Sequence, residues 1–199
     1  MPLDAIASRL RRDARITVLT GAGISAASGV PTFRGAEGLW KQFRAEQLAT
    51  PEAFARDPRL VWEWYDWRRQ RIAACRPNGG HDVLAAWSGR FPHFTLITQN
   101  VNGLHERAGT RGMLRMHGSI WEVACWSGCS GSPARWTHDV VPLSEIPPRC
   151  TYCGGLLRPG VVWFGEVLDA EVVGKCLEAT TATCFSRWGR QRSSIPPPP

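Results

Sequence analysis

Apolar positions along the chain follow two rhythms. At the start, Leu3, Ile6, Ala7 and Leu10 share one helical stripe and predict a first helix. Residues 15–20 then form a short β-branched run that stops at Gly21-Ala22-Gly23, and Ser25 to Ser28 opens the next segment. Strand, glycine turn and helix start in that order are the beginning of a dinucleotide-type α/β unit. From Ala45 to Arg76 the pattern is helical and rich in Trp, Arg and Ala, with interruptions at Pro51 and Pro58. His81 to Trp87 reads as another helix, and Phe94 to Ile97 as a second strand ending at Thr98-Gln99-Asn100. A third short run, Met113 to Met116, ends at His117-Gly118-Ser119.

The stretch 120–160 changes character, with four cysteines, five prolines and few long apolar runs. It reads as an inserted loop module held by metal. Val161 to Phe164 follows as an extended segment, and Asp169 to Ala179 as a helix. From Ala182 the periodicity is lost, and the chain closes on Pro196 to Pro199.

Composition narrows the classes. A hydrophobic content of 43% with 21% charged residues in 199 residues suits a soluble enzyme with one good core and a small second module. No run reaches the ~18 apolar residues of a membrane span. The N-terminus lacks the apolar core of a secretory signal, and Asp4 and Asp13 are atypical of import signals. Seven cysteines are an odd number, and four of them are grouped in pairs. That grouping favours metal over disulfides and a reducing, cytoplasmic setting. Of the net charge of +7, three units come from Arg187, Arg190 and Arg192. The remaining charge is too modest to argue for nucleic acid.

Four constellations carry chemistry. Gly21 and Gly23 let the backbone approach a pyrophosphate, although the third glycine of the usual fingerprint is missing and a ligand-free turn reads the same way. Cys125-x3-Cys129, a 20-residue spacer and Cys150-x2-Cys153 suit a tetrahedral zinc whose four sulfurs leave no open position, so the metal is structural. His117 lies just past a strand, where a neutral imidazole is a natural general base or a satisfied structural residue. Gln99, Asn100 and Asn102 either cap a helix or recognise a ribose or carboxamide.

Together, Gly21-Ala-Gly-Ile-Ser25, Gly29-Val-Pro-Thr-Phe-Arg34, Thr98-Gln-Asn-Val-Asn-Gly-Leu-His105, His117-Gly118, the four cysteines and Pro159-Gly-Val-Val-Trp-Phe-Gly-Glu166 occur in sirtuin order. Over residues 1–181 the chain resembles this family of NAD-dependent protein-lysine deacylases. The resemblance implies an α/β fold: a Rossmann-like, doubly wound parallel sheet from 1–34, 81–119 and 161–181. A small domain would combine a helical module, 35–80, with the zinc module, 120–160. Gly21, Ala22, Gly23, Ser25, Phe33, Arg34, Gln99, Asn100 and Asn102 would contact NAD, and His117 would be the base. Val162, Trp163 and Phe164, in the segment ending at Glu166, would pair with an acyl-lysine peptide as a strand. The implied reaction yields nicotinamide and an O-acyl-ADP-ribose and needs no protein nucleophile.

Departures from the family are Asn102, where Asp is usual, and the lack of a Glu near Ala27. Tyr65 and Arg68 lie three apart on one helix face and make a fork for a carboxylate. This resembles the sirtuin class that removes succinyl, malonyl and glutaryl groups; a Trp-rich packed helix is the bland alternative. Beyond Ala182 the expected strand and Gly-Thr-Ser loop are absent. Codons shifted by one base allow Asp-Val-Phe-Leu-Ala-Val-Gly-Thr-Ser there, which points to a frameshift. Residues 182–199 are therefore expected to be an aberrant, disordered tail, with the C-terminal part of the sheet missing. An inactive fragment and a zinc-ribbon nucleic-acid module are the competing readings. Against the latter, 120–160 balance Arg135, Arg149 and Arg158 with Glu122, Asp139 and Glu145.

Overall fold

A computed structural model describes residues 12–31 and 43–181, and the backbone of 184–188. The predicted first helix, Phe33 and Arg34 lie outside the described residues. Strand β1 (Ile16–Thr20) leads through the glycine turn into a four-residue helix, α1 (Gly23–Ala26). Helices α2 (Ala45–Leu48), α3 (Pro51–Arg56) and α4 (Pro58–Ala74) follow, then α5 (Gly79–Arg90) and β2 (Phe94–Thr98). Next come α6 (Leu104–Arg107), β3 (Met113–Arg115), β4 (Gly118–Cys125), β5 (Trp136–Thr137), β6 (Leu157–Val161), α7 (Ala170–Ala179) and β7 (Cys184–Trp188).

One sheet runs in the order β3-β2-β1-β7, and every pair in it is parallel. Ile16 faces Phe94 and Thr20 faces Thr98, so β1 and β2 end level with each other. Parallel strands are covered on both faces, which explains the unbroken burial of Ile16, Thr17 and Val18. Their core includes Ile24, Leu84, Phe91, Phe94 and Leu96.

The expected loss of the last strand is corrected here. Cys184–Trp188 runs parallel to β1, with Cys184 opposite Ile16 and Trp188 opposite Thr20. Parallel pairing uses main-chain groups, and the edge of β1 offers a full row of them to any extended segment. The expected disorder of 182–199 therefore does not extend to these five residues.

Pro51 and Pro58, expected as interruptions, are helix starts. Each occupies the first turn, where a missing N–H costs nothing, and Thr50 and Asp57 cap the free amides of Ala53 and Leu60. Helix α4 then lies against a second, antiparallel sheet of order β5-β4-β6. Trp62 Nε1 donates to the Leu157 carbonyl at 2.7 Å, and Arg69 Nε to the Ile120 carbonyl at 2.8 Å. One apolar core spans both, joining Phe54, Trp62, Tyr65 and Ile72 to Ile120, Val123, Leu157 and Trp163. Gly118 opens β4 at φ +72, and a Cβ there would lie 2.2 Å from the Gly160 carbonyl oxygen. Only glycine allows the strands to cross so closely.

Candidate active site

The level ends of β1 and β2 build the site floor. The Thr20 hydroxyl donates to Thr98 Oγ1 at 3.0 Å, and Gln99 N–H donates to the Thr20 carbonyl at 3.0 Å. Asn100 Nδ2 crosses between the strands to the Gly21 carbonyl at 3.0 Å. The glycine turn and the Gln99–Asn100 segment are thus tied into one surface. Gly21 and Gly23 are half-buried there, and Ala22 and Gln99 are exposed.

Ser25 is buried beneath this surface and collects hydrogen bonds. Its Oγ receives Asn102 Nδ2 at 2.9 Å and lies 3.3 Å from His81 Nε2. The Asn78 backbone N–H donates to His81 Nδ1 at 3.2 Å, so the ring proton sits on Nε2 and is given to Ser25. Both lone pairs of the hydroxyl are then occupied, and its proton is left free to donate.

His117 is half-buried in the turn between β3 and β4. Its Nδ1 lies 3.0 Å from the Gln99 carbonyl, which can only accept, so Nδ1 carries the proton. In the neutral ring the lone pair is then on Nε2, the form a general base needs. On one flank Arg115 pairs with Glu122 at 2.8 Å and fixes the turn from behind. On the other, the His117 carbonyl accepts the Val162 N–H at 3.0 Å.

That last bond brings in the segment after β6. Val162 is half-buried, Trp163 buried and Phe164 exposed. The Trp163 N–H donates to Glu166 Oε2 at 2.8 Å, and the Phe164 N–H to the Ala49 carbonyl at 2.9 Å. Arg158 binds both Glu166 oxygens, at 2.6 and 2.9 Å. Among the described residues the Val162 carbonyl and the Gly165 N–H have no partner.

Tyr65 and Arg68 are both buried on α4. Tyr65 Oη accepts Trp163 Nε1–H at 3.0 Å, and the Arg68 guanidinium lies 4.9 Å from the Trp64 ring centre. Burial pushes the Tyr65 phenol up to about 12, although the Arg68 charge beside it opposes the rise. Burial likewise lowers Arg68 to about 10, with Tyr65 working against it. At neutral pH the pair is a phenol beside a cation.

The cysteines meet as the spacing predicts. The sulfurs of Cys125, Cys129, Cys150 and Cys153 all lie within 4.8 Å of one another. Cys125 and Cys153 are 3.7 Å apart, and Cys129 and Cys150 3.9 Å. Four thiolates around a tetrahedral zinc at ~2.3 Å would sit about 3.8 Å apart, so the group fits that ion. All four are free of disulfides.

Sequence reasoning missed a buried polar network beside the floor. His105 Nε2 lies 3.1 Å from Thr20 Oγ1, and its ring centre lies 4.8 Å from that of His81, the two planes tilted by 55°. His105 Nδ1 has no partner among the described residues. Asn78, three residues before His81 and capping α5, was the local signal for one of these rings. His105 carried none of its own.

The sequence profile described as the Sir2 family matches residues 21–185. The chain is 57% identical over 163 residues to the NAD-dependent protein deacylase of Aquifex aeolicus (strain VF5), covering 82% of this chain and 66% of that protein. It thus spans about two thirds of that relative's length. Among solved structures, a Sir2 homolog–NAD complex superposes with a TM-score of 0.83 at 40% identity, covering 98% of this chain and 75% of the other. A Sir2 bound to acetylated peptide does so with a TM-score of 0.74 at 25% identity, covering 94% and 75%. No helix among the described residues is long and apolar enough to cross a membrane.

Proposed function

We propose, because the chain belongs to the Sir2 family, that it is an NAD-dependent protein-lysine deacylase releasing nicotinamide and an O-acyl-ADP-ribose. The observation that carries this reading is the double tether of His117. Its Nδ1–H is held by the Gln99 carbonyl, and its own carbonyl holds Val162. The base is thereby fixed between the dinucleotide floor and the segment that would receive a peptide. Gly21, Ala22, Gly23, Ser25, Gln99, Asn100 and Asn102 would hold NAD, with Phe33 and Arg34 completing the set. Bound NAD supplies the ribose carbon to which the acyl oxygen transfers. The free Ser25 proton would donate to that ligand, and His117 Nε2 would take a proton from a ribose hydroxyl. The Val162 carbonyl and Gly165 N–H are the backbone groups open to the peptide, and Phe164 contributes exposed apolar surface beside them. The test is nicotinamide release from an acyl-lysine peptide, which His117→Ala should abolish. Release unchanged by that substitution rejects the assignment.

The acyl group extends, in this reading, from acetyl to succinyl and malonyl. A neutral phenol beside a buried guanidinium is a donor set for a terminal carboxylate, and Trp163 joins it to the peptide segment. Arg68→Met should cut the succinyl-to-acetyl efficiency ratio ~10- to 100-fold, the scale of one charge-assisted contact. Equal losses on both substrates would make the pair structural. The free, clustered thiols support a reducing cytoplasmic setting. A second reading, loss of activity in this chain, rests on the shifted-frame character of 182–199. Restoring the shifted-frame residues tests it, and equal nicotinamide release in both forms would reject it.

A further inference from the structure

We propose that Trp163 is a specificity-determining positioning residue, whose indole N–H turns the Tyr65 hydroxyl into an outward donor for an acidic acyl group. The inference rests on the deacylase reading above and on Tyr65 lying in its acyl site.

An indole N–H can only donate, so in the 3.0 Å contact Tyr65 Oη is the acceptor. With one lone pair engaged by the indole, the phenol still has its own proton to donate. Arg68, the charged neighbour, carries donors alone and cannot receive that proton. No acceptor for it lies among the described residues, and the group is buried. A buried donor without an acceptor is costly unless a ligand supplies one. The complement is a group that accepts hydrogen bonds and carries negative charge, which is the terminal carboxylate of a dicarboxylic acyl chain. The phenol stays protonated to do this, since burial holds it near about 12.

The geometry also shows what holds Trp163 in place. Its ring centre lies 3.8 Å from the Arg158 guanidinium carbon and 5.3 Å from the Phe54 ring centre. Its backbone N–H is held by Glu166, which Arg158 grips with two bonds. These contacts hold the indole in the orientation that aims its N–H at Tyr65. The same residue sits between Val162 and Phe164, so peptide capture and acyl selection meet in one side chain.

The test measures, by calorimetry on the full chain, the Kd of one peptide carrying either succinyl-lysine or acetyl-lysine. Trp163→Phe keeps a ring but removes the donor. It should shrink the acetyl-to-succinyl Kd ratio about 3- to 10-fold, the scale of one neutral hydrogen bond. In a Tyr65→Phe background the same change should leave the ratio where it is. An unchanged ratio in the Tyr65 protein, or an equal fall in both backgrounds, overturns the proposal. Benzothienylalanine at position 163, which replaces the N–H by sulfur in the same ring frame, gives the same readout if the phenylalanine variant unfolds. A wild-type ratio of one that Tyr65→Phe does not move instead rejects the acidic-acyl reading itself, and this inference with it.

Discussion

Asn102 donates to Ser25 through Nδ2 at 2.9 Å while its Oδ1 accepts the Leu104 N–H at 3.1 Å. An aspartate could keep the Leu104 bond, but it would have to accept from Ser25, reversing the direction of that contact. It would also place a negative charge beside the site where positive charge develops at the ribose. Asn102→Asp is expected to raise nicotinamide release about tenfold, the scale of one charge-assisted contact. An assay at saturating peptide checks this, and a fall in rate would mean that drawing the Ser25 proton away from the ligand costs more than the added charge gains.

The four-sulfur cluster should carry about one zinc per chain. Metal analysis of Cys150→Ser should show it lost. Because such a site forms only as the chain folds, a chelator should lower the melting temperature as well. A metal-free wild type with unchanged melting would remove the assignment.

Acid should weaken the fold through His105. Burial, with the His81 ring close by, lowers it to about 4. Unfolded histidine takes its proton near ~6.5, so between those values the unfolded chain binds more protons. Stability should therefore fall as pH drops from about 6.5 towards 4, by up to about 3 kcal/mol. Burial lowers His81 too, which acts in the same direction. Urea midpoints measured across that range should flatten in His105→Gln.

Gly118→Ala adds a Cβ where the Gly160 oxygen stands 2.2 Å away, in a backbone of positive φ. The expected cost is about 3 kcal/mol or more in denaturant unfolding. Because Gly118 follows His117 directly, nicotinamide release should fall with it. A variant of wild-type stability would mean that the β4–β6 crossing opens easily.

What could be read in the sequence depended on range. The glycine turn, the cysteine pairs and the strand before Gly21 are local patterns, and each stands where its spacing placed it. Pro51 and Pro58 read as breaks in the sequence alone, since a proline in a helical pattern marks a start only once its cap is in place. The Thr20–Thr98 bond needs the parallel register of β1 and β2, which no local pattern states. Tyr65 and Trp163 are 98 positions apart, so their contact belongs to the packing of α4 on the second sheet. The residues of 184–188 depart from those expected of the last strand, yet backbone pairing requires only an extended segment.

Strand β4 is a strut roughly 23 Å long, running from the residue beside His117, the proposed base, to Cys125. Whatever loosens the sulfur end, whether oxidation, a chelator or a competing soft ion, should also slacken the strand that leads back to His117. In the deacylase reading a metal that never meets the substrate would then bear on its fate, and the thiol balance of the surroundings would reach lysine acylation through one strand.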